Sequence, residues 1–122
     1  MSTRFGPEVR LRTRAQFDLV QRHGRRVATR SVILLGHAND LDHDRLGIIA
    51  SRRFGHAVQR ARAKRRLREM FRRQHPDLAG AQGRRPLDVV AIPRRELLTL
   101  PFEAAAAEFG RAVERLRAAA AA

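Results

Sequence analysis

The apolar positions of the chain fall into six runs with two periods. Near the start, Phe17 and Val20 sit three apart on one helical face. Thr13 can cap that helix, Gln16 stands at capping-box spacing, and Gly24 supplies a stop. Ser31-Val32-Ile33-Leu34-Leu35 is a short β-branched run, and Arg45-Leu46-Gly47-Ile48-Ile49-Ala50-Ser51 is a second. Both predict strands, and the polar turn at 37–44 predicts that they pair antiparallel. The longest helix runs over residues 57–74 and ends before His75-Pro76, because the residue before a proline avoids helical backbone. Leu87-Asp88-Val89-Val90-Ala91-Ile92 predicts a further strand, stopped by Pro93. Phe102, Ala106, Phe109, Val113 and Leu116 recur at 4-3-4-3 spacing, the apolar face of a last helix with Pro101 near its first turn.

The intervening segments are polar. Residues 1–12 carry Arg4, Arg10 and Arg12 with Gly6-Pro7 and read as a basic flexible arm. Residues 25–30 read as a basic connector, 79–86 as a glycine-rich loop, and 118–122 as a frayed alanine tail. The order predicts an α+β fold, an α/β sandwich with one layer of helices on a small sheet. At 122 residues the chain fits one domain, 1–122. The start has no apolar segment of signal-peptide type, and no apolar run approaches membrane-spanning length. A cytoplasmic protein without a membrane partner is expected. With no cysteine, disulfides and thiolate chemistry are excluded.

Charge changes the picture most. Lys+Arg number 26 against 12 Asp+Glu, a formal net charge of +14. Such a chain attracts polyanions, nucleic acid first among them. The charge is densest between Arg52 and Arg73, where Glu69 is the only acid. On a helical wheel Ala63, Leu67, Met70 and Phe71 gather on one stripe, which must face the sheet. Arg65, Arg68 and Arg72 fall on one flank and the outer side; Arg62, Arg66 and Arg73 fall on the other. Like charges at these spacings destabilise an isolated helix. A phosphate backbone outside it removes that penalty and releases counterions.

The stretch Ser51-Arg52-Arg53-Phe54-Gly55-His56-Ala57-Val58-Gln59-Arg60-Ala61-Arg62-Ala63-Lys64-Arg65-Arg66-Leu67-Arg68-Glu69 resembles the signature of the bacterial ribonuclease P protein family, roughly S-K-K-x-G-N-A-V-x-R-N-R-x-K-R-x-x-R-E. The resemblance extends from about Arg12 to Leu116. Two positions depart from it: Ala61 and His56 stand where the family has Asn.

The resemblance implies a small mixed four-stranded sheet packed with about three helices, with a left-handed βαβ crossover where sequence alone would predict the commoner right-handed form. It implies an RNA-binding subunit that contacts the catalytic RNA through Arg60, Arg62, Lys64, Arg65, Arg68 and Arg72. It also implies a cleft for the 5′ leader of precursor tRNA, onto which Phe17, Arg52 and Arg53 carry over. Where family members add aromatics to that cleft, this chain has Gln21, Val32 and Leu35. The partners implied are the ribonuclease P RNA and precursor tRNA, with no obligate protein partner. Chemistry in this family belongs to the RNA, so Mg2+ is expected to be held mainly by the RNA and none by the protein alone.

The residues themselves agree with a chain that carries no catalytic group of its own. No Walker loop, H-E-x-x-H or triad is present. Asp40, Asp42, His43 and Asp44 form the nearest metal-like cluster, but their spacing matches no metal and they read as a solvated turn. A ribosomal or ribosome-assembly RNA-binding protein would explain the charge equally well, though not the signature. A DNA-binding architectural protein lacks helix-turn-helix spacing here. A protein-only nuclease would need a carboxylate cluster.

Overall fold

A computed structural model of the chain describes residues 7–121. A 3-10 turn, Pro7–Val9, leads into α1 (Arg14–His23), then strands β1 (Arg25–Ala28), β2 (Val32–Ala38) and β3 (Arg45–Ile48). The long helix α2 (Ala57–Arg72) follows, then β4 (Leu87–Pro93), the single-turn α3 (Glu96–Thr99) and α4 (Phe102–Ala121). Among the described residues no helix is long and apolar enough to cross a membrane.

The strands form one mixed sheet in the order β1-β2-β4-β3. The expected antiparallel pair of β2 with β3 does not form. β4 lies between them, antiparallel to β2 (Ile33 opposite Ile92) and parallel to β3 (Leu46 opposite Val89). The cause is the composition of β4. Val89, Val90 and Ala91 are all fully buried, so both faces of this strand need cover, and only an interior strand has it. The chain between β2 and β3 arches over the head of β4 instead. Asn39 donates its backbone N–H to the Pro86 carbonyl (3.1 Å) and its side-chain amide to Asp88 Oδ1 (2.9 Å).

Helices cover both faces of the sheet, not one. Val32, Leu34, Leu46, Val89 and Ala91 join Phe71 of α2 and Phe109 of α4 in the main core. The alternate residues point the other way. There Val90, with Leu35, Ile49 and Ile92 half-covered beside it, meets Val20 and Phe17 of α1. α1 has ten residues, too few to roof this face, which stays partly open.

Three segments read as irregular are ordered. The supposed connector at 25–30 contains β1, whose Val27 packs into the main core opposite Leu34. Four residues with two arginines are too few to show a period. In the supposed arm, Val9 and Leu11 are buried, and the Leu11 N–H donates to the Leu46 carbonyl at 2.9 Å. Residues 1–6 of that arm lie outside the described residues. At the other end, α4 continues through the supposed alanine tail to Ala121.

Candidate nucleic-acid interface

α2 is held from its start by its own side chains. Gln59 Oε1 accepts from the His56 N–H at 3.1 Å, and Arg60 donates to the Gly55 carbonyl at 2.7 Å. The stripe expected to face the sheet does so: Ala63, Leu67, Met70 and Phe71 are all buried. Every cation of the helix is thereby turned to its sides or outward.

Those cations divide by what they meet. On one flank Arg66 donates to the Leu97 carbonyl of α3 at 3.2 Å. Arg73 lies over the Phe102 ring and bonds Glu103 of α4. These two arginines join helix to helix. Arg72 grips Glu69 through two bonds, at 3.0 and 2.6 Å, and its hydrogen bonds hold the Glu69 carboxyl below its ordinary range. Arg62 and Arg65 are exposed. Lys64 and Arg68, half-buried, turn instead toward β3 and α1.

There they meet Phe17. A cavity of about 160 Å³ is bounded by Phe17, Gly47 and three cations, Arg10, Lys64 and Arg68. Gly47 makes the arrangement possible. A Cβ on it would stand 2.5 Å from Phe17 Cε1, so only glycine lets the ring lie against β3. Burial, and then the charge of Arg10, push the Arg68 guanidinium below its usual range. An anion placed there would relieve both effects.

The open face continues from Phe17 across Leu35, Ile49 and Ile92. At its far side a second cavity, about 400 Å³, has Ile49, Ile92, Phe54 and Arg53 in its wall. Arg53, expected at a leader cleft, is thus in the wall of a cavity at the end of this face. Arg52, its neighbour in the same turn, is exposed and lines neither cavity. Of the three positions read as replacing further aromatics, Leu35 packs beside Phe17 and Gln21 is exposed on α1. Val32 is corrected: it points into the main core, fully buried, and Ile33 opposite Ile92 occupies this face in its place.

Two contributors were missed. Arg10 was assigned to the flexible arm, yet it bridges to Leu46 and reaches the cavity. The alternation Val9-Arg10-Leu11, apolar on either side of a cation, was the available signal. The other is Asp44, read as part of a solvated turn. It is 1% exposed, and it accepts from Arg117 at 3.1 and 2.8 Å and from the Leu87 N–H at 2.7 Å. Its neighbour His43 bonds Asp42 and the Glu8 carbonyl. The supposed cluster is split among separate partners, and no group of three potential metal ligands occurs among the described residues.

Comparison with known proteins agrees with this architecture. A family model described as Ribonuclease P matches residues 5–117. The ribonuclease P protein component of Syntrophobacter fumaroxidans is 41% identical over 98 residues, which span 80% of this chain and 81% of that protein. That of Stutzerimonas stutzeri is 38% identical over 118 residues, 95% of this chain and 86% of that protein. The solved RNase P protein from Thermotoga maritima superposes with a TM-score of 0.69 at 31% identity, covering 88% of this chain and 94% of that one. The chain therefore belongs to the ribonuclease P protein family.

Proposed function

We propose that this protein binds the RNA subunit of ribonuclease P through the outer side of α2, and the single-stranded 5′ leader of precursor tRNA along the open face beside α1. The leader is then removed by the RNA subunit to leave the mature tRNA 5′ end. The observation that carries this reading is the cavity where Phe17 meets Arg10, Lys64 and Arg68. Unpaired bases stack on an aromatic ring while cations track the phosphates, which is the chemistry of single-stranded RNA recognition.

The cations take different parts in this scheme. Arg62 and Arg65, exposed, face the RNA subunit. Lys64 and Arg68 stand where the RNA subunit and the leader come together. Arg60 fixes the loop before α2 through the Gly55 carbonyl, and Arg72 presents its charge from its pair with Glu69. Arg53, with Arg52 beside it, guides the leader past Ile49 and Ile92. Apolar contact from Leu35, Ile33 and Ile92 replaces further stacking.

The divalent ions of the reaction are assigned to the RNA. Asp44 and Asp88, the buried carboxylates near the protein's acidic turn, are already held by Arg117 and Arg45. They do not suit a resident metal.

The deciding experiment is cleavage of precursor tRNA at low Mg2+ by a bacterial ribonuclease P RNA, with and without this protein. Cleavage at the mature 5′ end only when both are present is the expected result. Cleavage by the protein alone would overturn the assignment of chemistry to the RNA. If the protein adds nothing to the RNA, a ribosomal or general RNA-binding role replaces this one.

A further inference from the structure

The sheet edge farthest from α2 carries a second concentration of arginine. β1 is one edge of the sheet and β3, beside α2, is the other. Three strand spacings, about 14 Å in all, separate them. Val27 of β1 points to the α4 face, and Arg25, two residues earlier, shares that face by the strand's alternation. Opposite them α4 presents Glu108, Arg111, Ala112 and Arg115, one helical flank at 3-1-3 spacing. Between strand and helix runs an open groove of about 340 Å³, walled also by Thr29 and Arg30.

The groove is basic by construction. Arg25, Arg111 and Arg115 are exposed. Among the described residues Glu108 is the one acid lining it. Its side chain is 13% exposed and takes up Arg30 at 2.6 Å, so it lies at the floor and neutralises that arginine alone. Edge strands often carry charge that keeps another sheet from adding on, which accounts for Arg25 and Arg26. It does not account for Arg111 and Arg115, which lie on a helix. These two stand at i,i+4, where like charges repel and destabilise the helix. Among the described residues no aromatic lines the groove, so these offer cations to phosphates and nothing on which a base could stack.

We propose that the groove between β1 and α4 is a second RNA surface, in which Arg25, Arg111 and Arg115 hold the phosphate backbone of base-paired RNA. Paired RNA shows its phosphates and hides its base faces, and that is the chemistry this groove can meet. The surface is separate from the α2 face and the α1 cleft, and it holds RNA without reading sequence. Such a backbone can come from the RNA subunit or from the body of the tRNA substrate.

The double variant Arg111→Ala/Arg115→Ala tests it, since both side chains are exposed and neither is buried in the core. Its urea midpoint should match that of the parent. Binding is measured against salt, once for the protein with the RNA subunit and once for the holoenzyme with precursor tRNA. For one of these the slope of log K against log salt should shrink by about two. Arg65→Ala serves as the control on α2, so loss of its effect would count against the proposed function and not against this groove. The chain has no cysteine, so Arg115→Cys provides a unique attachment point for a hydroxyl-radical source. Strand scission in paired regions of the RNA subunit or of the tRNA body identifies which one lies there. Unchanged slopes with both RNAs would overturn the proposal. So would a protein dimer that the double variant abolishes, which would make the groove a contact between two copies.

Discussion

At the head of β4 arginines meet carboxylates inside the protein; beside Phe17 they meet one another. Arg117 is 7% exposed at its side chain and bonds both oxygens of Asp44 while donating to the Arg85 carbonyl at 2.6 Å. Burial works against its charge, but the bonds and charge of Asp44 outweigh that and hold its pKa above the ordinary value. Arg45 and Asp88 repeat the arrangement nearby through two bonds. Arg68, by contrast, sits half-buried beside Arg10 and Lys64, and its pKa moves down. The same side chain is a structural element in one place and part of a cavity wall in the other. What separates the two is the neighbour that lines each place: a buried carboxylate at Asp44, further cations beside Phe17.

Removing one side of the buried pair should break this contrast most visibly. Arg117→Ala leaves Asp44 buried without its cation, and breaking such a pair costs about 3–5 kcal/mol. Urea or thermal unfolding should show the loss. A change below about 1 kcal/mol would mean that the pair is not a structural element. The cost should exceed that of any single substitution among the cavity cations.

At the other pole, Phe17→Ala should act on substrate binding. Loss of one stacked base contact corresponds to about 1–3 kcal/mol. The holoenzyme should lose affinity for precursor tRNA with a leader and keep its affinity for tRNA without one. Equal losses with both would place Phe17 in packing only. Gly47→Ala should reproduce the leader effect, because the added Cβ displaces the Phe17 ring.

A smaller effect is expected from the cations themselves. Arg65→Ala and Arg68→Ala should each flatten the salt slope of RNA binding by about one unit. Stability should stay within about 0.5 kcal/mol for Arg65, which is exposed. An unchanged slope in both variants would remove α2 from the RNA contact.

The smallest effect separates the two regions by pH. His43 bonds Asp42 at 2.8 Å and the Glu8 carbonyl at 2.7 Å, one through each ring nitrogen. Burial opposes its charge, but these bonds and the Asp42 charge prevail and raise its pKa above 6.5. A raised folded-state pKa stabilises the fold fully below the unfolded value of about 6.5 and loses that contribution as pH rises through the folded value. The protection factor of the Leu11 amide, its exchange rate relative to the intrinsic base-catalysed rate, should therefore fall across that window, since this amide lies next to the segment held at Glu8. His43→Gln should abolish the pH dependence. The Arg117–Asp44 pair contains no histidine and should show no such change there.

Much of the local structure was legible in the chain. The Thr13–Gln16 capping box forms as spaced, with Gln16 N–H donating to Thr13 Oγ1 at 3.2 Å and Thr13 N–H donating to Gln16 Oε1 at 3.0 Å. The buried stripe of α2 and that of α4 through Phe109, Val113 and Leu116 also follow directly from spacing. Phe17 and Arg53 could be assigned to a leader cleft only through the family resemblance; the fold places them in the walls of two separate cavities. The place of Arg10 was not legible, because a single alternating triplet carries little periodic signal.

What the sequence determined by itself is therefore what neighbours along the chain decide: helix caps, apolar stripes, and a basic helix with one acid. Tertiary structure decided the rest. It placed β4 between β2 and β3, because a strand buried on both faces belongs in the interior. It joined Asp44 to Arg117 across 73 residues and brought Phe17 of α1 to Lys64 and Arg68 of α2. Such meetings depend on which faces and edges remain to be covered once all the elements exist, and no local period records that.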